Sequence, residues 1–509
     1  MLKNFLSVSG LTLLSRLTGF FRDMILAAVL GAGPLASAFV IAMRLPNTFR
    51  SLFGEGAFNQ AYIPAYARVH ETEGAAAAQR FAGQIQTILL GSQLVLLAVA
   101  LVAMPWLIQL LAPGFTPGEE RYELAVTLTR ITFPYLLFMT LVTQLSGSLN
   151  AVDRFIAANF APVLLNLCMI AALGIAFLFP TAAHAAAWGV TVSGAAQLLL
   201  LVTAAKRAGV LPAFARPSKD ADMRAFWRAF GPAVIGSSGV QIAVFADLML
   251  STLLPNDAPA TIYYADRIYQ LPIGVLAIAG ATVLLPTMSR RIAAGDVSGA
   301  HQAQSRTFAL TLALSGPVFA AVLAIPDLIM RAAFMRGDFT AANASASAAV
   351  LFAYGLGLPA IVLIQGAVAS FRARGDTTTP MLISFAAIGA NILLKIILAP
   401  RIGAPGLALA TAIGAWINLT ALVVVARRRE LMAMTADFPR ILLITTIATV
   451  AAALIFLFGQ GAAERLASGA PTSLRHLLAL ALVGGAGCAC YGAIMLAGAR
   501  LAGVKLSRR

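Results

Sequence analysis

Apolar runs of roughly 20 residues recur along the whole of this 509-residue chain, separated by short polar turns. A run of that length crosses the hydrocarbon core of a bilayer as a helix. The pattern therefore predicts an all-α polytopic membrane protein. Fourteen spans are expected, at about 3–30, 35–65, 80–111, 123–149, 157–179, 184–205, 225–253, 260–289, 303–330, 343–371, 379–399, 405–426, 438–459 and 475–499. The breaks carry turn residues: Gly31-Ala32-Gly33-Pro34, Pro113-Gly114, Pro255-Asn256-Asp257 and Gly403-Ala404-Pro405.

Composition agrees. The chain is 60% hydrophobic and 11% charged, where soluble domains carry about 25% charged residues. No small-residue cleavage site follows the first apolar stretch, and Arg16 and Arg22 interrupt it. It reads as a retained span and not as a cleaved signal. The net charge of +16 does not point to nucleic acid here, because basic residues gather in cytoplasmic loops of membrane proteins. With the N-terminus inside, 23 of the 36 lysines and arginines fall on the cytoplasmic side, 7 on the other and 6 within the membrane. Both termini are expected to be cytoplasmic.

The chain also repeats. Ala42-Met43-Arg44 matches Ala265-Asp266-Arg267, and Pro64 to Arg68 matches Pro286 to Arg290, at offsets of 223 and 222. Pro105/Pro326, Gly114-Phe115-Thr116/Asp338-Phe339-Thr340 and Pro134/Pro359 follow at 221 to 225. Arg154/Arg372 and Pro162/Pro380 match at 218, and Gly189/Gly406 at 217. The expected organisation is two six-helix parallel repeats plus two C-terminal helices. The lobes would be 1–220 and 221–430, with 431–509 holding the last two helices and a cytoplasmic tail. A parallel repeat of this kind is transporter architecture, with the substrate between halves that rock to alternate access.

The stretch from Ser15 to Tyr66 carries the unusual chemistry. Arg16, Arg22, Arg44 and Arg50 lie in two consecutive spans, and Arg267 is their counterpart in the second half. An arginine at membrane depth costs at least about 2.5–3.5 kcal/mol. A water-filled cavity that receives an anion would compensate. The members of each early pair are six residues apart, about 9 Å of helical rise. Gly19 and Pro46 allow bends that would turn them to one cavity. Guanidinium forks suit phosphate oxygens, and five of them suit a diphosphate. The local alternative is ion pairing, with Asp23 beside Arg22 and Glu55 near Arg50, plus snorkelling at span ends. Asp266 is the expected orienting partner of Arg267. Asp247 and Lys395 form a candidate ion pair or, with Asn391 one turn before the lysine, a coupling site.

Other chemistry is absent from the sequence. Cys168, Cys488 and Cys490 lie in apolar runs, and the four histidines have no ligand spacing, so neither a metal nor a disulfide framework is expected. There is no Walker A loop, dinucleotide fingerprint or nucleophile motif. No cofactor and no enzymatic activity are expected. The energy must come from the membrane potential, an ion gradient or consumption of product.

Several motifs carry a family resemblance. Ser15-Arg16-Leu17-Thr18-Gly19-Phe20-Phe21-Arg22-Asp23, Leu45-Pro46-Asn47, Glu55-Gly56-Ala57-Phe58, Ala112-Pro113-Gly114-Phe115, Tyr263-Tyr264-Ala265-Asp266-Arg267 and Leu284-Leu285-Pro286 resemble the MurJ (MviN) lipid II flippases of bacteria. The resemblance covers essentially the whole chain. It implies the multidrug/oligosaccharidyl-lipid/polysaccharide exporter fold in the cytoplasmic (inner) membrane. It implies lipid II as substrate, an undecaprenyl-diphosphate carrying the disaccharide-pentapeptide of peptidoglycan. Membrane lipids and cell-wall synthesis proteins are the other partners it implies. The family's essential cavity arginines match Arg16, Arg22, Arg50 and Arg267; Asp23, Arg44, Asn47, Glu55 and Asp266 would support them. The prenyl tail would follow a groove along the last two spans.

This chain departs from the pattern in three places. Many relatives have Asp where Ser37 stands, so Arg22 needs another partner or is freer for substrate. Some have Glu where Gln270 stands. Lys395 occupies a position where some have an acid of a cation site, which argues against sodium there. The residues alone leave two alternatives: a flippase for another undecaprenyl-diphosphate oligosaccharide, and a cation-coupled multidrug exporter of the same fold. The exporter would need cavity acids, opposite to the arginine excess. A scaffold that only recruits proteins would show no transport defect on loss of Arg16 or Arg50.

Overall fold

The computed structural model describes residues 2–49, 57–255 and 257–502. All regular structure among them is helical. The first part runs α1 (Leu2–Leu30), α2 (Pro34–Phe49), α3 (Ala57–Glu73), α4 (Ala75–Leu111), α5 (Glu120–Thr132), α6 (Tyr135–Ala151), α7 (Ile156–Gly174), α8 (Ala182–Arg207) and α9 (Ala221–Thr252). The second runs α10 (Ala258–Ala293), α11 (Val297–Ala324), α12 (Pro326–Phe334), α13 (Ala341–Gly355), α14 (Leu358–Arg372), α15 (Thr378–Ile402), α16 (Ala404–Arg428), α17 (Phe438–Leu466) and α18 (Thr472–Leu501). Among the described residues ten helices, counting α5–α6 and α13–α14 as one each, are long and apolar enough to cross a membrane. The four other expected spans correspond to α1, to α2 with α3, to α9 and to α10. The expected span at 35–65 is covered by α2 and α3, and residues 50–56 between them lie outside the described residues, as does Asn256 of the expected turn.

Contacts divide the chain into residues 1–260 and 261–509. In the first unit α8 packs against α5, α6 and α7, and α4 against α6. In the second, α16 packs against α13, α14 and α15, and α11 against α14. The pairings correspond, so each unit builds the same partial bundle from the same order of helices. The helix ends agree. Arg154 N donates to Leu149 O at 2.9 Å and Val210 N to Ala205 O at 2.9 Å. Asp376 N donates to Phe371 O at 3.1 Å and Leu431 N to Ala426 O at 2.8 Å. Each bond closes a helix C-terminus around one left-handed residue: Asp153, Gly209, Gly375 and Glu430 in turn. These closures align the repeat at offsets of 222 and 221. The pairs Arg154/Arg372, Pro162/Pro380 and Gly189/Gly406 are therefore about one helical turn out of register. Small residues let many alignments score alike, whereas a backbone closure has one register.

Close helix approach explains two of the glycines. A Cβ on Gly147 of α6 would lie 2.8 Å from the Tyr62 ring of α3, and Tyr62 Oη bonds Ser148 Oγ at 2.7 Å. A Cβ on Gly114 would come within 1.9 Å of Thr252 O. The Ala112-Pro113-Gly114-Phe115 motif is thus the seat for the C-terminal end of α9. Phe115 beneath it is buried, with the Arg121 guanidinium 4.9 Å from its ring centre. Phe339, its repeat counterpart, is buried against Tyr264 and Phe334.

The start of α9 also packs on the first unit. Phe226 and Phe230 stack on each other and meet Phe58 edge-on. Arg68 pairs with Asp222 at 2.6 Å, and Gln84 Nε2 donates to Ser218 Oγ at 3.1 Å. Asp220 caps the helix, accepting from Met223 N at 2.9 Å. In the second unit α17 and α18 pack together and onto α11 and α12 through Ala448, Ala452, Phe456, Val483 and Tyr491. Tyr491 Oη donates to Ala313 O at 2.6 Å. Their outer faces expose Leu443, Val450, Phe458 and Leu496, which suits a lipid-facing surface.

The Ser218 hydroxyl, together with the Met223 amide, holds the Asp220 carboxyl below the usual carboxylate range. A lowered folded-state value means this contribution is present above the unfolded value and is lost as pH falls through the folded one. Asp220→Ala is expected to cost about 1 kcal/mol of stability near neutral pH. The deficit relative to wild type should shrink in acid. Thermal unfolding of the purified protein across pH measures both.

Candidate functional site

Arg22 is the best-defined of the arginines expected at membrane depth. It is 7% exposed and Asp23 is 3% exposed. Arg22 Nη2 and Nε donate to Asp23 Oδ1 at 2.7 and 3.0 Å, and Nη1 donates to Asn166 Oδ1 of α7 at 2.9 Å. Asn166 Nδ2 donates in turn to Ser15 O and Thr18 Oγ1, each at 3.0 Å. One amide thus ties two turns of α1 to α7 and gives the arginine an acceptor beyond Asp23. Local pairing with Asp23 is realised, and Asn166 supplies a contact that Ser37 cannot. Ser37 is fully buried on α2.

Asn166 was not anticipated. Its signal is a single amide in the apolar run of α7, where a polar group needs a partner on another helix. Gly19 also has a different role from the expected bend. Helix α1 runs through it unbroken, and a Cβ there would sit 3.4 Å from Asn166 Nδ2. The glycine brings the two helices close enough for the amide to reach. Pro46 likewise lies within α2 and does not end it.

Arg16, six residues before Arg22, is exposed. It has no polar side-chain partner among the described residues. Arg44 and Asn47 are half-buried on α2. Arg50 and Glu55 lie outside the described residues. In the second unit Arg267 is half-buried on α10, its guanidinium 4.5 Å from the centre of the Tyr263 ring, a cation–π contact. Asp266 accepts from Gln270 one turn on. Asp266 is thus bonded along its own helix, and Arg267 lies over the ring four residues back. Lys395 is 1% exposed on α15. Asn391, one turn earlier, packs against Gly414 of α16. Asp247 is half-buried on α9 in the first unit, whereas Lys395 belongs to the second.

The chemistry available is anion binding by permanent cations. A free guanidinium at Arg16 has five donors in a planar fork, and the buried Arg22 nearby adds positive potential. The pair stands on a helix anchored by its own network, which fixes Arg16 relative to α7.

Comparison with known proteins places this chain. A family model described as "Lipid II flippase MurJ" matches residues 26–469. A probable lipid II flippase MurJ of Rhizobium meliloti is 38% identical over 495 residues, covering 96% of this chain and 92% of that protein. A lipid II flippase MurJ of Burkholderia cenocepacia is 32% identical, covering 83% of each. Among solved structures, a lipid II flippase MurJ in an inward closed conformation superposes with a TM-score of 0.79 at 22% identity, covering 97% of this chain and 98% of that one. An inward-facing MATE family transporter of the MOP superfamily superposes at 0.70 with 15% identity, covering 83% and 97%. These structural likenesses concern the fold.

Asn166→Ala removes an acceptor from a buried guanidinium and two donations to α1. It is expected to cost about 1–3 kcal/mol, read as a lower unfolding temperature. Arg22→Ala in the same background should cost less than in wild type. A coupling below about 0.5 kcal/mol in that double-mutant cycle would show that the bond contributes nothing.

Proposed function

The chain belongs to the lipid II flippase MurJ family, and we propose that it moves lipid II from the inner to the outer leaflet of the bacterial cytoplasmic membrane by alternating access. The observation that carries the reading is Arg16, exposed on α1 beside the buried Arg22–Asp23–Asn166 network. A cation in an apolar span with no side-chain partner among the described residues is the arrangement a diphosphate requires.

Arg16, Arg50 and Arg267 bind the diphosphate oxygens. Arg22 contributes potential and contacts substrate when its network opens. Arg44, Asn47 and Glu55 support the early spans. Asp266 and Gln270 shape the turn of α10 that carries Arg267. Residues 1–220 and 221–430 act as the rocking lobes, and the prenyl tail stays in lipid beside the helices of 431–509. Asp247 and Lys395 neutralise one another or, with Asn391, tune coupling. Both termini are cytoplasmic. No covalent step and no cofactor are needed, and cell-wall synthesis proteins consume the product outside.

The driving force follows from charge. A potential of 100 mV is worth about 2.3 kcal/mol per elementary charge. With the inside negative, it favours outward movement of an anionic headgroup. The family match favours lipid II over other oligosaccharides on the same carrier. A multidrug exporter of cations is disfavoured by the arginine excess.

Arg16→Ala, Arg50→Ala and Arg267→Ala should each abolish transport and leave the protein inserted and folded. The measurement is lipid II exposed on the outer leaflet of cells depleted of the wild-type protein. Full complementation by an Arg16→Ala/Arg50→Ala double variant would overturn the diphosphate site.

A further inference from the structure

We propose that the cavity at the α6–α7 turn binds the headgroup of an anionic phospholipid, at a site separate from the transport arginines. The turn and the end of α8 enclose about 720 Å3. Asp153, Arg154 and Arg207 contribute its charged lining, and Phe155, Phe160 and Leu200 much of its apolar lining. Such a mixture fits an amphipathic ligand: an ionic head beside a hydrocarbon chain.

The repeat shows what is unusual about the charges. At the equivalent turn of the second unit, α14–α15, the residue in the position of Arg154 is Asp376. Its carboxylate pairs with Arg429 Nη1 at 3.2 Å, and the same nitrogen reaches Thr379 Oγ1 at 3.1 Å. That turn supplies its own anion. In the first unit the acid is replaced by an arginine. Arg154 and Arg207 line one cavity, are exposed, and have no hydrogen-bond or ion-pair partner for their guanidinium groups among the described residues. The Asp376–Arg429 pair has no counterpart in the first unit, where the cavity lining holds one acid, Asp153, and two arginines, leaving a positive charge for an anion from outside the protein.

The charge count selects the ligand. Two arginines and Asp153 leave the lining with one net positive charge, which matches a singly charged phosphodiester better than a diphosphate. The N-terminus of α7 opens at the same turn, and its dipole adds to the attraction. The cavity lies at the ends of α6 and α8 that carry Lys206 and Arg207, the side assigned to the cytoplasm by charge bias. Basic cavities between helices on that side are suited to anionic headgroups.

The test uses the purified full-length protein in detergent, titrated separately with phosphatidylglycerol, phosphatidylcholine and undecaprenyl diphosphate. Native mass spectrometry counts bound molecules. Wild type should prefer phosphatidylglycerol over phosphatidylcholine by roughly fivefold, the increment for the one net positive charge of the lining. Arg154→Asp, which puts the second-unit acid at this turn, and Arg207→Gln should each remove most of that preference without lowering the unfolding temperature. Should Arg154→Asp fail to fold, Arg207→Gln decides alone. An Arg16→Ala/Arg267→Ala variant should keep the preference, so failure of the transport reading leaves this result standing. Equal binding of the two phospholipids, or a preference that survives Arg207→Gln, would overturn the site. Undecaprenyl diphosphate binding that outcompetes phosphatidylglycerol and is lost in Arg207→Gln would instead make the cavity a landing point for substrate.

Discussion

A guanidinium inside a bilayer has to be solvated by something, and in this protein that requirement organises the first helix. Arg22 lies in the C-terminal half of α1 and is only 7% exposed, so its guanidinium depends on protein partners. Asp23 alone cannot saturate it, because neighbouring positions on a helix diverge and one carboxylate oxygen takes both contacts. Asn166 supplies a further acceptor from α7 and directs its own donors to the backbone and hydroxyl of α1. The network holds α1 and α7 in one register. It also separates the two arginines of α1 by role: Arg22 is bound within the protein, and Arg16 is presented outward.

The internal repeat extends this division of labour. The two units share helix order, packing partners and four matching C-terminal closures, so the scaffold is duplicated. The charges are not. The first unit carries the early cluster of arginines, and the second contributes Arg267 against an aromatic ring. At the turns the same asymmetry recurs, Arg154 standing where its counterpart is Asp376. Backbone closures tolerate such exchanges because they depend on a left-handed residue and one amide, while the side chain at the next position is free to change function.

Helix α9 shows how sequence symmetry and spatial grouping diverge. The repeat assigns it to the second half, yet its start packs on the aromatic cluster of α3 and its end seats on Gly114. Both contacts rely on fit: stacked rings at one end and a missing Cβ at the other. The Arg68–Asp222 pair adds one ionic contact at the start of the helix.

The sequence by itself determined the membrane class, the helical fold, the repeat and the family, because hydropathy, turn residues and long motifs are local properties of the chain. It also singled out the costly residues, since an arginine in an apolar run is conspicuous wherever it folds. Tertiary structure alone decided their partners. Asn166 lies 144 residues from Arg22, and no periodicity links them. Gly19 suggested a bend and proved to be a point of close approach, because a glycine in sequence does not say whether its freedom or its smallness is used. Arg22 bonds its chain neighbour Asp23, whereas Asp266, the neighbour of Arg267, bonds Gln270 one turn away, and adjacency alone does not say which occurs. The repeat's register in its later helices was one turn out for a related reason. Proline and small residues recur too often to align uniquely, whereas a hydrogen bond that closes a helix end has a single partner.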